Sequence, residues 1–77
     1  PPNCDMRVSE TSTSWRYRAE CRDPDGRVHD YEWTINGELS GLGGYGLAVS
    51  KGQYETKPHV VLRGKDDSGD FSDPVSK

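Results

Sequence analysis

The sequence predicts an all-β fold, an antiparallel sandwich of about six or seven short strands. Three observations carry that expectation. Apolar and polar residues alternate with a period of two, most clearly in Trp15, Tyr17, Ala19 and Cys21 against Arg16, Arg18 and Glu20. Clusters of Gly, Pro, Asp and Asn stand between the alternating stretches. No apolar residue recurs at helical spacing to compete with this pattern.

Taken in order, Cys4, Met6 and Val8 alternate with Asp5 and Arg7 and give a first strand. Residues 9–14, SETSTS, are a polar break, and residues 15–21 are the second strand. In Asp23-Pro24-Asp25-Gly26, Pro presets φ, Asp bonds its own backbone and Gly accepts φ > 0, so a turn follows. Tyr31, Trp33 and Ile35 then share one face of an extended segment, with Glu32 and Thr34 on the other. This is the strand expected to be most buried, and Asn36-Gly37 ends it with a hairpin signal. The glycine-rich run ELSGLGGYG, residues 38–46, predicts a mobile loop or an irregular edge. Tyr45, Leu47 and Val49 alternate again, up to Lys51-Gly52. Residues 59–65, HVVLRGK, place Val60 and Leu62 inward. Asp66-Asp67-Ser68-Gly69 is a turn, and Phe71 and Val75 mark a last short edge strand broken by Pro74.

With 77 residues there is room for one domain, residues 1–77, and a hydrophobic fraction of 30% makes its core thin. A covalent staple is expected, and Cys4 and Cys21, facing inward on neighbouring strands, supply one. Such a disulfide places the chain in an oxidising compartment, secreted, extracellular or periplasmic. A net charge of −3 offers no long-range attraction for nucleic acid, and no apolar run approaches a membrane span. The opening Pro1-Pro2-Asn3 and the closing Asp73-Pro74-Val75-Ser76-Lys77 read as the ends of a domain excised from a longer exported protein. A monomer is expected, with neighbouring domains of the parent chain as its first partners.

The turn Asp23-Pro24-Asp25-Gly26 followed by Tyr31-Glu32-Trp33, and the later VVLRGKDDSGDFSDPV, together resemble the polycystic-kidney-disease-type (PKD) domain. That family is an immunoglobulin-like sandwich of secreted bacterial enzymes and surface proteins, and the resemblance covers most of the chain after Cys21. It implies an immunoglobulin-like fold here, a non-catalytic accessory role, and calcium near the first turn, with Asp23, Asp25 and Asp66 as the ligand positions. Two stretches depart from the family pattern. Thr34-Ile35-Asn36-Gly37 stands where an acidic, glycine-rich segment is usual, and Arg63-Gly64-Lys65 interrupts the late alternation.

Candidate chemistry is sparse. His29 lies near Asp23, Asp25 and Asp30 in sequence, and His59 shares its half of the chain with Ser50 and Asp66, but a catalytic pair needs a dry cleft that so small a domain has little room for. No enzyme is expected. Cys4, Cys21, His29 and His59 lack the paired spacing of a zinc site. For calcium, the competing reading is that turn aspartates cap backbone amides. For ligand binding, Trp15 starts its strand and is expected half exposed, while Leu39, Leu42 and Tyr45 among the glycines can form an apolar tip or fold over a sheet edge. Arg16, Arg18 and Arg22, with Arg27 as a further candidate, give the second strand a basic outer face, open to an acidic polysaccharide or protein unless Glu20 and Glu32 neutralise it. The expected function is a module that binds polysaccharide or extracellular protein for an attached enzyme or adhesin; the alternative is a spacer between domains.

Overall fold

A computed structural model describes residues 2–24 and 26–77, and of residues 41 and 42 the backbone alone. The described residues form seven strands and no helix: β1 (Asn3–Glu10), β2 (Ser14–Arg22), β3 (Val28–Ile35), β4 (Glu38–Gly43), β5 (Gly46–Ser50), β6 (Val60–Asp66) and β7 (Val75–Ser76). They make two antiparallel sheets, a three-stranded one in the order β1-β2-β5 and a four-stranded one in the order β4-β3-β6-β7. Among the described residues no helix is long and apolar enough to cross a membrane.

The alternation in the sequence is the alternation in space. Met6, Trp15, Tyr17, Ala19 and Val49 from the first sheet meet Trp33, Val60 and Leu62 from the second in one buried cluster. Each sheet contributes one face of its pleat and leaves the other to water. Tyr31, Ile35, Leu47 and Val75 pack around the rim of that cluster, half-buried.

Asn36 and Gly37 both have positive φ, 49° and 82°, and join Ile35 to its partner Glu38 in a two-residue hairpin. This is the twist-matched turn that Asn-Gly favours. The strand it leads into is the irregular edge, the second of the two expected outcomes: Glu38–Gly43 of the glycine-rich run pairs with β3 at the edge of its sheet, with a register shift between Glu32 and Thr34. Glycine weakens a strand through entropy, but a central neighbour and a bulge at the edge are enough to hold one.

Trp15 also differs from expectation. Rather than half exposed, it is 8% exposed in the core, opposite Val49 of β5, with the Lys51 amine 5.6 Å from its ring centre. β5 covers β2 on the side left open by β1, which a reading of β2 alone does not reveal.

Cys4 and Cys21 face each other across β1 and β2 with Cα atoms 4.0 Å apart, and they are disulfide-bonded. The bond packs against the opposite sheet at Gly64. A Cβ on Gly64 would lie 2.6 Å from Cys4 Sγ and 3.0 Å from Cys21 Sγ, so only glycine lets β6 pass. Ser72 closes the same spot: Gly64 N–H donates to its Oγ at 2.9 Å and its own N–H donates to the Gly64 carbonyl at 2.8 Å. The interruption at Arg63-Gly64-Lys65 is thus the place where the disulfide within the first sheet packs against β6 of the second.

One core group is left unsatisfied. The Tyr17 hydroxyl is buried and has no hydrogen-bond partner among the described residues, and burial raises its pKa. An orphaned buried hydroxyl costs about 1–3 kcal/mol. Tyr17→Phe is therefore expected to raise stability by about 1 kcal/mol, read as a higher urea midpoint at unchanged slope. A lower midpoint would mean that the hydroxyl makes a bond in solution.

Candidate functional site

The outer face of the three-stranded sheet carries the most concentrated unpaired positive charge. In β1 the outward residues include Asp5, Arg7 and Ser9; in β2, Arg16, Arg18 and Glu20; in β5, Gly46 and Ala48. Register brings them into rows, with Arg7 opposite Arg18 and Arg18 opposite Gly46, then Ser9 opposite Arg16 and Arg16 opposite Ala48. Because β5 offers no bulk at Gly46 and Ala48, a shallow open groove of about 790 Å³ remains, walled by Arg7, Arg16, Arg18 and Tyr45.

Tyr45 is the aromatic wall. It is 56% exposed, and the Arg18 guanidinium carbon lies 5.4 Å from its ring centre. Backbone bonds on both sides of its Cα fix its place. The Ala19 N–H donates to the Tyr45 carbonyl at 2.7 Å, and the buried Trp33 indole Nε1–H donates to the Gly44 carbonyl at 2.9 Å. The core indole therefore positions the residue on which the groove depends.

Of the two acids expected to neutralise this face, Glu20 neutralises Arg7 on it and Glu32 is engaged on the other sheet. Glu20 pairs with Arg7 at 2.9 Å, and Glu32 pairs with Arg63 at 2.8 Å on the other sheet, where Arg63 also lies over Phe71. Among the described residues, Arg16 and Arg18 have no ion pair.

Of the ligand-binding candidates, Arg16, Arg18 and Tyr45 come together here. Trp15 lies beneath them in the core, on the opposite face of β2. Leu39 is 64% exposed but pairs with Thr34 on the outer face of the other sheet. The Leu42 side chain lies outside the described residues. Arg7 is the member that reading strands singly does not find. The signal was present: a Cys4–Cys21 pair on antiparallel neighbours fixes the register, and counting along it sets Arg7 against Arg18.

A second cluster sits at the end of the molecule where the turn after β2 meets the turn after β6. Carboxylate oxygens of Asp23, Asp66 and Asp67 lie within 4.8 Å of one another; Asp25 lies outside the described residues. Asp66 is only 3% exposed. Its Oδ1 accepts from the Ser68 hydroxyl at 2.7 Å, the Ser68 N–H at 3.0 Å and the Asp70 N–H at 2.9 Å. The Ser68 hydroxyl bond, followed by the Asp70 amide and the bond with Asp23, outweighs burial and lowers its pKa to about 2. Calcium takes six to eight oxygens, and here one carboxylate oxygen already holds three donors, the chemistry of a locked turn.

Two measurements check that role. Because the folded pKa lies below the unfolded value, the contribution of Asp66 to stability is complete above about pH 4 and is lost as pH falls towards 2. Asp66→Asn is expected to flatten that part of the stability curve. Millimolar calcium, or chelator, is expected to leave Tm unchanged; a rise of several degrees with calcium would make the cluster a cation site.

The histidines remain apart from both clusters. His29 is exposed and lies 3.1 Å from its neighbour Asp30, and His59 is exposed beside the hairpin, its N–H donating to Asn36 Oδ1. The disulfide takes both cysteines. No protein-family model, curated protein or solved structure matches the chain.

Proposed function

We propose that this chain is an immunoglobulin-like, PKD-type accessory module of a secreted or cell-surface protein, without catalysis of its own, and that it binds a polysaccharide or extracellular protein through the outer face of the three-stranded sheet. The observation that carries the reading is Tyr45, a large exposed ring held by two backbone anchors beside two arginines that no acid neutralises. Exposed aromatics with arginine are the side chains most enriched at recognition surfaces. The three-plus-four strand order around a buried tryptophan and the meeting of the two Asp-rich turns support the immunoglobulin-like part of the proposal. The disulfide supports the exported location.

A second reading, a spacer, has its own support. Asn3 lies opposite Arg22 at one end of the sheets and Lys77 bonds Val60 at the other, so these two residues sit at opposite ends of a body 40 Å long. A panel of immobilised glycans and matrix proteins separates the two. Retention that Tyr45→Ala abolishes and Leu39→Ala leaves intact supports recognition, and no retention on any surface supports the spacer.

A further inference from the structure

We infer that the ligand class of this face is a polyanionic polysaccharide, recognised through its sulfate esters or uronate carboxylates; the inference rests on the recognition reading above. Three guanidinium groups face one open groove, Arg7 already held by Glu20 and Arg16 and Arg18 without an ion pair among the described residues. Arg7 and Arg18 are direct cross-strand neighbours, and Arg16 and Arg18 are two residues apart on one side of β2, about 7 Å along the strand. Guanidinium forks bind planar oxyanions in a bidentate manner, and a row of them suits a chain that repeats its charge.

The rest of the groove selects a sugar over an acidic peptide. Its β5 side is made by the small residues Gly46 and Ala48, which leaves width for a sugar ring. The exposed Tyr45 ring gives a pyranose a C–H face to stack against, with Arg18 beside it.

The net charge of −3 does not oppose this: on this face Asp5 lies opposite Glu20 and Glu20 is held by Arg7, which leaves Arg16 and Arg18 without an ion pair among the described residues. Asp23, Asp66 and Asp67 lie beyond the far end of β2. From Arg18 to Asp23 is five residues of extended chain, about 17 Å. That is roughly twice the Debye length at physiological salt, so the acidic end is screened from the groove. The attraction is local and sensitive to ionic strength.

The test is titration of the intact domain with heparin, dextran sulfate, polygalacturonate, neutral dextran and polyglutamate, at low and at physiological salt. Binding to one or more of the three anionic polysaccharides is expected, weakened by salt, and reduced about tenfold or more by Arg16→Ala with Arg18→Ala. Dextran sulfate against polygalacturonate tells sulfate from carboxylate. Tyr45→Ala is expected to weaken polysaccharide binding, and Arg63→Ala, on the opposite face, to leave it unchanged. Binding to neutral dextran that persists in the double arginine variant would overturn the inference while leaving the recognition reading intact. Tighter binding of polyglutamate than of any polysaccharide would likewise overturn the inference. No binding to any glycan or matrix protein would overturn both.

Discussion

Trp33→Ala is expected to destabilise the domain by about 3–5 kcal/mol. The indole is 2% exposed at the meeting of both sheets, and a domain of this length has about 4–12 kcal/mol in total. The loss is a large share of that total, and the urea midpoint should fall accordingly at unchanged slope. Trp33→Phe separates packing from positioning. A smaller aromatic ring keeps part of the packing, but the donor to the Gly44 carbonyl is lost, and with it one of the two anchors beside Tyr45. Such a variant is expected to stay folded and to bind ligand more weakly, whereas equal affinity would show that the Ala19–Tyr45 bond alone holds the loop. Amide exchange of Gly46 should quicken in the same variant, an effect that loss of core volume alone does not predict.

Replacement of both cysteines by alanine should cost about 3 kcal/mol on the chain-entropy model for a loop of this length, since Cys4 and Cys21 are 17 residues apart. A second loss is expected where β6 passes the bond. Gly64→Ala places a methyl group in sub-van der Waals contact with both sulfurs, and overpacking of a rigid site costs about 1–3 kcal/mol. The two changes are coupled. With the sulfurs gone, the space against Gly64 opens, so Gly64→Ala should be close to neutral or favourable in the cysteine-free background. A double-mutant cycle by urea unfolding reads this as a coupling of at least about 1 kcal/mol. Additive losses would place the disulfide away from β6.

Much of this was legible in side-chain alternation. The β2 pattern from Trp15 to Cys21 gave both the core face and the basic face, Asn36-Gly37 gave the hairpin, and the cysteine pair gave the β1–β2 partnership. What stayed hidden depends on neighbours that no local pattern encodes. Trp15 is buried because the chain crosses over after β4 and lays β5 beside β2 in the same sheet, with Val49 next to the indole. Gly64 looked like an interruption until the disulfide lay beside it. At the candidate site, Arg16, Arg18 and Tyr45 could be named singly. Their assembly required the register of three strands and two backbone carbonyls, Gly44 and Tyr45, whose partners are far away in sequence.

Backbone amide chemical shifts recorded while a heparin-derived oligosaccharide is titrated into the domain test most directly where recognition occurs. The expected perturbations run through Arg7, Arg16, Arg18 and Gly44 to Ala48, and leave the hairpin at Asn36-Gly37 and the turn at Asp66 to Gly69 unmoved. Shifts centred on either of those turns, or on the Leu39 side of the four-stranded sheet, would contradict the assignment of this face.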